Sequence, residues 1–278
     1  MTTCFDVSIE NKIAHIVLNR PDVFNAMNRA FWNELPEIVR DIDDNAKARV
    51  IVISSTGKHF TAGMDVSVFT DGEGVSASGG DAYIRAEAFR QFVLTLQGSF
   101  SCLDNARIPV IAAIQGGCVG GGVDFVSACD IRYVTADAFF QIAEINIGMT
   151  ADVGTFPRLC KLIPEGWVRE LAYAGRRLPA TKAKDIGLVN EVFPTQEAML
   201  AHVMELAAEI AEKAPVAVAG SKRMINYARD HSIADGLDYI ATWQAGMFSP
   251  PHMMEAFAAK AQKRKPEFAD LAPMRKKM

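Results

Sequence analysis

Hydrophobic and polar positions along the chain alternate between the short rhythm of strands and the longer one of helices. Residues 5–9 and 13–18 form β-rich runs joined by Glu10-Asn11-Lys12, which predicts an N-terminal hairpin. Asn28 then stands as an N-cap before Phe31, Leu35, Ile38, Val39 and Ile42 at helical spacing. Pro36 lies inside that stretch and argues against a straight helix. Apolar runs at 50–53 and 110–114 predict short buried strands, and residues 81–103 between them have helical periodicity. Strand, loop, helix and strand thus recur, an α/β arrangement. Residues 71–80 are rich in glycine and serine and read as a flexible loop. From about residue 196 the pattern is almost wholly helical, broken at Pro215, Pro250-Pro251 and Pro266. The expected division is a core over 1–195 and a helical C-terminal region over 196–278. The second part is too thin for a large core of its own, so it is expected to pack on the first or on a neighbouring subunit.

Composition narrows the classes of function. Half of the 278 residues are hydrophobic and 22% are charged, enough for a full core. With 33 acidic against 29 basic residues, the molecule has no overall attraction for nucleic acid or an anionic membrane. A polyanionic ligand would have to be met by local cations. The apolar runs fall far short of the roughly 20 residues that span a bilayer, and the start Met1-Thr-Thr-Cys-Phe-Asp does not read as a signal peptide. The C-terminal Arg-Lys-Lys-Met is not a Ser-Lys-Leu address, so a cytoplasmic location is expected. Five cysteines without a CxxC pair suggest neither a disulfide framework nor a zinc site.

The most informative segment runs from Ile114 through Gln115-Gly-Gly-Cys-Val-Gly-Gly-Gly-Val-Asp124. A strand leads into a glycine cluster and then into a helix expected over 123–129. Bare backbone N–H groups at a helix N-terminus stabilise a developing negative charge. The alternative is that the glycines only permit close strand-to-helix packing. A second glycine turn, His59-Phe-Thr-Ala-Gly-Met-Asp, follows the strand at 50–53 and could supply another amide, from Met64. Two converging amides make an oxyanion hole, each donor being worth on the order of 10²–10³ in rate.

In order and spacing, Asn19-Arg-Pro with Asn25-Ala-Met, Phe60-Thr-Ala-Gly-Met-Asp, Gln115-Gly-Gly with Gly120-Gly-Gly-Val-Asp, Ala128-Cys-Asp-Ile-Arg and Lys263-Arg-Lys-Pro-Glu-Phe resemble the enoyl-CoA hydratase/isomerase family. The likeness covers essentially the whole chain. It implies a crotonase, ClpP-like spiral of ββα units with a helical C-terminal trimerisation region, assembled as a homotrimer or a dimer of trimers. It further implies an acyl-CoA substrate, with CoA part of the substrate and no separate cofactor. The amides of Met64 and Gly121 would hold the thioester oxygen, and Ala62, Gly63, Met64, Asp65, Val66 and Gly122 would line the substrate. Lys263 is a candidate for the CoA phosphates, because Asp22 stands where many relatives carry a basic residue. A solvated charge run is the equal alternative.

The carboxylates decide the subfamily. Family hydratases usually carry glutamates at the positions of Asp124 and Glu144, and glycine at the position of Asp152. The acids Asp124, Glu144 and Asp152, the last within Ala-Asp-Val-Gly-Thr, are similar to those of dienoyl-CoA isomerases. Moving a 3,5-diene to a 2,4-diene needs a proton removed from C2 and one delivered to C6, which two separated carboxylates can reach. By resemblance and reach Glu144 serves C2, Asp152 serves C6 and Asp124 orients or tunes. Crowding like charges in an apolar pocket raises their pKa values. The plainer readings are a first-turn acid for Asp124 and a helix N-cap for Asp152, before a helix beginning near Val153.

Enoyl-CoA hydration is the first rival, since Asp124 and Glu144 could hold a water. A non-catalytic homologue binding CoA or RNA is the second, disfavoured by the acidic charge. Gly72-Glu-Gly matches a loose dinucleotide pattern in the wrong context, and the five histidines lack ligand spacing, so no metal is expected.

Overall fold

The computed structural model describes residues 2–65, 67–70 and 81–274. The first half contains β1 (Phe5–Glu10), β2 (Ile13–Leu18), α1 (Arg29–Asp44), β3 (Val50–Ser55), α2 (Ser67–Thr70), α3 (Ala82–Asn105), β4 (Val110–Ile114), β5 (Gly117–Val119) and α4 (Gly121–Ser127). After these come β6 (Ile131–Thr135), β7 (Phe139–Gln141), α5 (Thr155–Leu162), α6 (Glu165–Ala174), β8 (Leu178–Pro179), α7 (Ala180–Asp185) and β9 (Glu191–Phe193). Four helices close the chain: α8 (Gln196–Ala211), α9 (Pro215–Ala228), α10 (Ile233–Met247) and α11 (Pro250–Ala261). The expected glycine-rich loop at 71–80 lies outside the described residues.

The main sheet has the order β1-β2-β3-β4-β6-β9, with β1 antiparallel to β2 and every later pairing parallel. Both faces of β3 and β4 are buried, which is why their sequences are unbroken apolar runs and do not alternate. One face packs against α1, α3 and α4 through Phe31, Leu35, Phe100, Leu103 and Phe125. The other face is covered by α8, whose Met199, Val203 and Ala207 meet Val50, Val52, Ile111 and Ala113. A small second sheet, β5-β7-β8, stands beside the first and carries the site.

Helix α1 begins where expected, with Asn28 Oδ1 accepting from the Phe31 amide at 3.1 Å. It also runs unbroken through Pro36, contrary to expectation. Proline has no N–H to give the carbonyl four residues earlier, that of Trp32. That carbonyl instead accepts from Ser99 Oγ of α3 at 2.9 Å, so the orphaned acceptor is satisfied by the packing partner. Helix α9 is pinned to the core by buried Lys222, whose Nζ meets Asp130 Oδ2 at 2.8 Å and the carbonyls of Leu103 and Ile108. Helices α10 and α11 leave Ile233, Leu237, Met254 and Phe257 exposed, as is Phe248 between them.

Candidate active site

Two strand ends place the two amides expected to form the oxyanion hole. Residues 61–64 run beside β5: the Thr61 amide donates to Gly117 O and the Val119 amide to Thr61 O, both at 3.1 Å. On the other side the Met27 amide donates to Gly63 O at 2.8 Å, and Asp65 N to Met27 O at 3.0 Å. Buried Asn25 fixes this turn by donating to the carbonyls of Thr56 and His59, while its own carbonyl accepts from Thr61 Oγ1. A Cβ added at Gly63 would lie 3.5 Å from the Gly121 nitrogen, so the Gly63-Met64 turn abuts the start of α4.

Helix α4 starts at Gly121, two residues before the expected position. Gly120, with φ 54° and ψ −124°, turns the chain directly from β5 into the first helical turn, in a conformation that side chains resist. Gly121 and Gly122 therefore open the helix, and the Gly121 amide is one of the N-terminal donors that a helix leaves unsatisfied. The two readings of the glycines apply to different residues. A Cβ on Gly122 would come within 2.5 Å of Thr61 Cγ2, so Gly122 serves close packing. Gly121 has ordinary space beside it.

The three acids arrive from three segments. Asp124, in the first turn of α4, is 1% exposed and its Oδ1 accepts from the Thr155 amide at 2.6 Å. Burial pushes its pKa up to about 6 against that hydrogen bond, with the Asp152 charge pushing the same way and Arg158 opposing. Glu144 follows β7 in a 3₁₀ turn, and its Oε1 lies 3.3 Å from where a Cβ on Gly120 would be. Its Oε2 is buried and accepts no hydrogen bond among the described residues. Burial, then the charges of Asp124 and Asp152, push Glu144 up to about 7. Asp152 is half-buried and its pKa is also raised by burial. It is not the N-cap of α5, which starts at Thr155 with Gly154 in the cap position, so its carboxyl is not spent on a helix end. Beside Asp152 lies a cavity of about 350 Å³ lined by Gln97, Ser101, Asp104, Arg158, Lys161 and Arg229.

Other expected contacts are less close to the acids. Asp65 is held by Ser67 and by Arg20 at 3.5 Å, and the Ser67 hydrogen bonds lower its pKa. Ala62 is exposed at the edge of the turn, and Val66 lies outside the described residues. Lys263 is exposed just beyond α11 and lines no part of the cavity beside Asp152. Sequence reasoning passed over Thr155, Arg158 and Gln97, which donates to the Asp152 carbonyl at 2.7 Å. Thr155 was present in the acid-bearing motif as its last residue, but nothing in a sequence shows that a backbone amide points at a carboxylate.

The profile of the enoyl-CoA hydratase/isomerase family matches residues 8–271. The mitochondrial Δ3,5-Δ2,4-dienoyl-CoA isomerase of Mus musculus is 46% identical over 92% of this chain and 79% of its own. The peroxisomal enzyme of that name from Arabidopsis thaliana is 38% identical over 94% of each. Among solved structures, enoyl-CoA hydratase from Bacillus anthracis superposes with a TM-score of 0.84 at 28% identity, covering 98% of this chain and all of that one. These relatives correct the expectation of a cytoplasmic location, since the isomerases it resembles are named as mitochondrial and peroxisomal proteins. The expectation rested on a secretory pattern and one tripeptide address, and addresses to different compartments are different short signals read by different receptors, so failing two of them does not fix a location. With five motifs in register, a shared fold and a family profile spanning most of its length, the chain belongs to the enoyl-CoA hydratase/isomerase family.

Proposed function

We propose that the chain is a Δ3,5-Δ2,4-dienoyl-CoA isomerase. The observation that carries this reading is the third acid: Asp152 joins Asp124 and Glu144 from a separate segment, and hydration has no need of it. Glu144 lies against Gly120, one residue from the amide assigned to the thioester oxygen. A base there is beside C2, the carbon next to the thioester carbonyl. The identity to isomerases from mouse and plant supports the same reading.

In this mechanism Glu144 takes a proton from C2. The electron pair delocalises over the diene and the thioester, and the negative charge on oxygen is met by the amides of Met64 and Gly121. Asp152, in its protonated form, delivers a proton to C6, leaving the 2,4-diene, and return of a proton from Glu144 to Asp152 resets the pair. A pKa of about 7 suits Glu144 to act as a base near neutrality, since the best proton-transfer group titrates near the working pH. Asp124 supplies charge to the set from a fixed position, and the three titrate as a coupled group. Protons alone move, so the reaction calls for no cofactor beyond the CoA carried by the substrate. Lys263 is assigned to the CoA phosphates, and the exposed apolar residues of α10 and α11 support assembly with further copies, as a trimer or a dimer of trimers.

The test follows growth of conjugated 2,4-dienoyl thioester absorbance from a 3,5-dienoyl-CoA, beside hydration of crotonyl-CoA, for wild type and Asp152→Asn. Rapid isomerisation that collapses in the variant, with hydration negligible in both, supports the proposal. Brisk hydration indifferent to Asp152, without dienoyl turnover, identifies a hydratase instead.

A further inference from the structure

Behind the acids is a second group of charges. Arg158 of α5 donates from Nε to Asp104 Oδ2 at 2.7 Å and from Nη2 to Ser101 Oγ at 3.1 Å, and its side chain is 12% exposed. The other Asp104 oxygen accepts from both terminal nitrogens of Arg229, at 3.2 and 3.3 Å, and the Asp104 carbonyl accepts from Asn226. Arg158 hydrogen-bonds to none of the three acids among the described residues. Its guanidinium lies under Gly154: a Cβ at that glycine would collide with Nη1, and the backbone there has φ +136°. Residue 155 gives Asp124 its amide, and residue 152 is the third acid. One planar cation therefore supports the turn that serves two of the acids.

We propose that Arg158, anchored by Asp104, is a positioning residue for the isomerisation, holding the 152–155 turn so that Thr155 keeps Asp124 in place and Asp152 keeps its carboxyl toward the acyl chain. The kinetic part of this inference rests on the isomerase reading. A lysine cannot replace the group, because a single ammonium has no flat fork with which to fill the space at Gly154 and bind Asp104 at once. The electrostatics agree with the geometry. Asp124 faces the acids Asp152 and Glu144, the thiol of Cys118 and the Arg158 cation, which alone of these favours its ionised form. Removing that cation moves the Asp124 carboxyl toward the neutral form.

Steady-state kinetics on a 3,5-dienoyl-CoA and infrared carboxyl titration of the ligand-free protein test the proposal in Arg158→Gln, Arg158→Lys and Asp104→Asn, with folding checked by thermal melting. A misplaced acid costs kcat, so at least about a ten-fold fall is expected in both Arg158 variants, with a smaller fall in Asp104→Asn. KM should stay within about two-fold. The carboxyl band assigned to Asp124, identified by its loss in Asp124→Asn, should titrate at higher pH in Arg158→Gln. Wild-type kcat in Arg158→Lys and Asp104→Asn overturns the proposal. An unmoved Asp124 titration in a folded Arg158→Gln protein overturns it as well. If wild type shows no dienoyl turnover, the isomerase reading falls and the titration alone decides the role of Arg158.

Discussion

The Thr155 amide points at Asp124 Oδ1 across 2.6 Å, tying the first turn of α4 to the first residue of α5. Orienting a water for attack calls for carboxylate oxygens free to accept from it. Asp124 has one oxygen committed to the backbone and a side chain one methylene shorter than glutamate, so it is better placed to supply fixed charge than to orient a nucleophile. The proposed division of labour among the acids leads to measurable consequences.

Replacing Asp124 with asparagine keeps the acceptor for Thr155 and removes the charge. Asp124 raises the pKa of Glu144, so the base should ionise more readily in the variant. The acid limb of the kcat profile on a 3,5-dienoyl-CoA should move to lower pH. A limb that stays in place would show that the two carboxyls do not interact.

The same shift has a cost in stability. The Glu144 pKa is raised from 4.5 to about 7 in the folded protein. Its contribution is therefore fully present below 4.5 and is lost as pH rises through 7. Glu144→Gln should be more stable than wild type at about pH 8, by on the order of 2 kcal/mol, and the difference should vanish below about pH 4. Urea unfolding at several pH values reads this directly, and a gap independent of pH would refute it.

Gly120 is constrained twice, by its backbone conformation and by Glu144 Oε1 at 3.3 Å from an added Cβ. Gly120→Ala should cost about 1–3 kcal/mol in folding. It should also lower kcat by roughly 10², through displacement of the Gly121 amide and the base together. KM should change far less. A variant with normal kcat would remove the Gly121 amide from the mechanism.

Lys222 is the buried cation that fixes α9. Lys222→Met leaves Asp130 without its cation, with only the Val110 amide still donating to it, and the Leu103 and Ile108 carbonyls short of a donor, which should destabilise the protein by about 3–5 kcal/mol. Adding Asp130→Asn should recover part of the loss in a thermal unfolding series. Full additivity of the two changes would show that the pair is not coupled.

The hairpin, the buried strands and α3 were legible because their apolar rhythms are local. The acids and glycines were legible through motifs, each of which fixes chemistry within a few residues. The start of α4 was misjudged because Gly121 and Gly122 have poor intrinsic helix propensity, whereas the turn at Gly120 brings the chain directly into the helix. Asp152 resembled a cap because an acid just before a helix usually is one, yet the chain makes a further turn at Gly154 first. Arg158 was invisible as a supporting residue. Its partner Asp104 lies 54 residues away, and no periodicity reports such a pairing.

The hydrogen bond from Ser99 to the Trp32 carbonyl has a bearing on how this family varies. Pro36 creates a vacancy on α1 that only a donor from α3 fills, while a hydroxyl at 99 facing an already occupied carbonyl would gain little. The two positions, 63 residues apart in sequence, should therefore covary among relatives, with proline and a hydroxyl appearing and disappearing together.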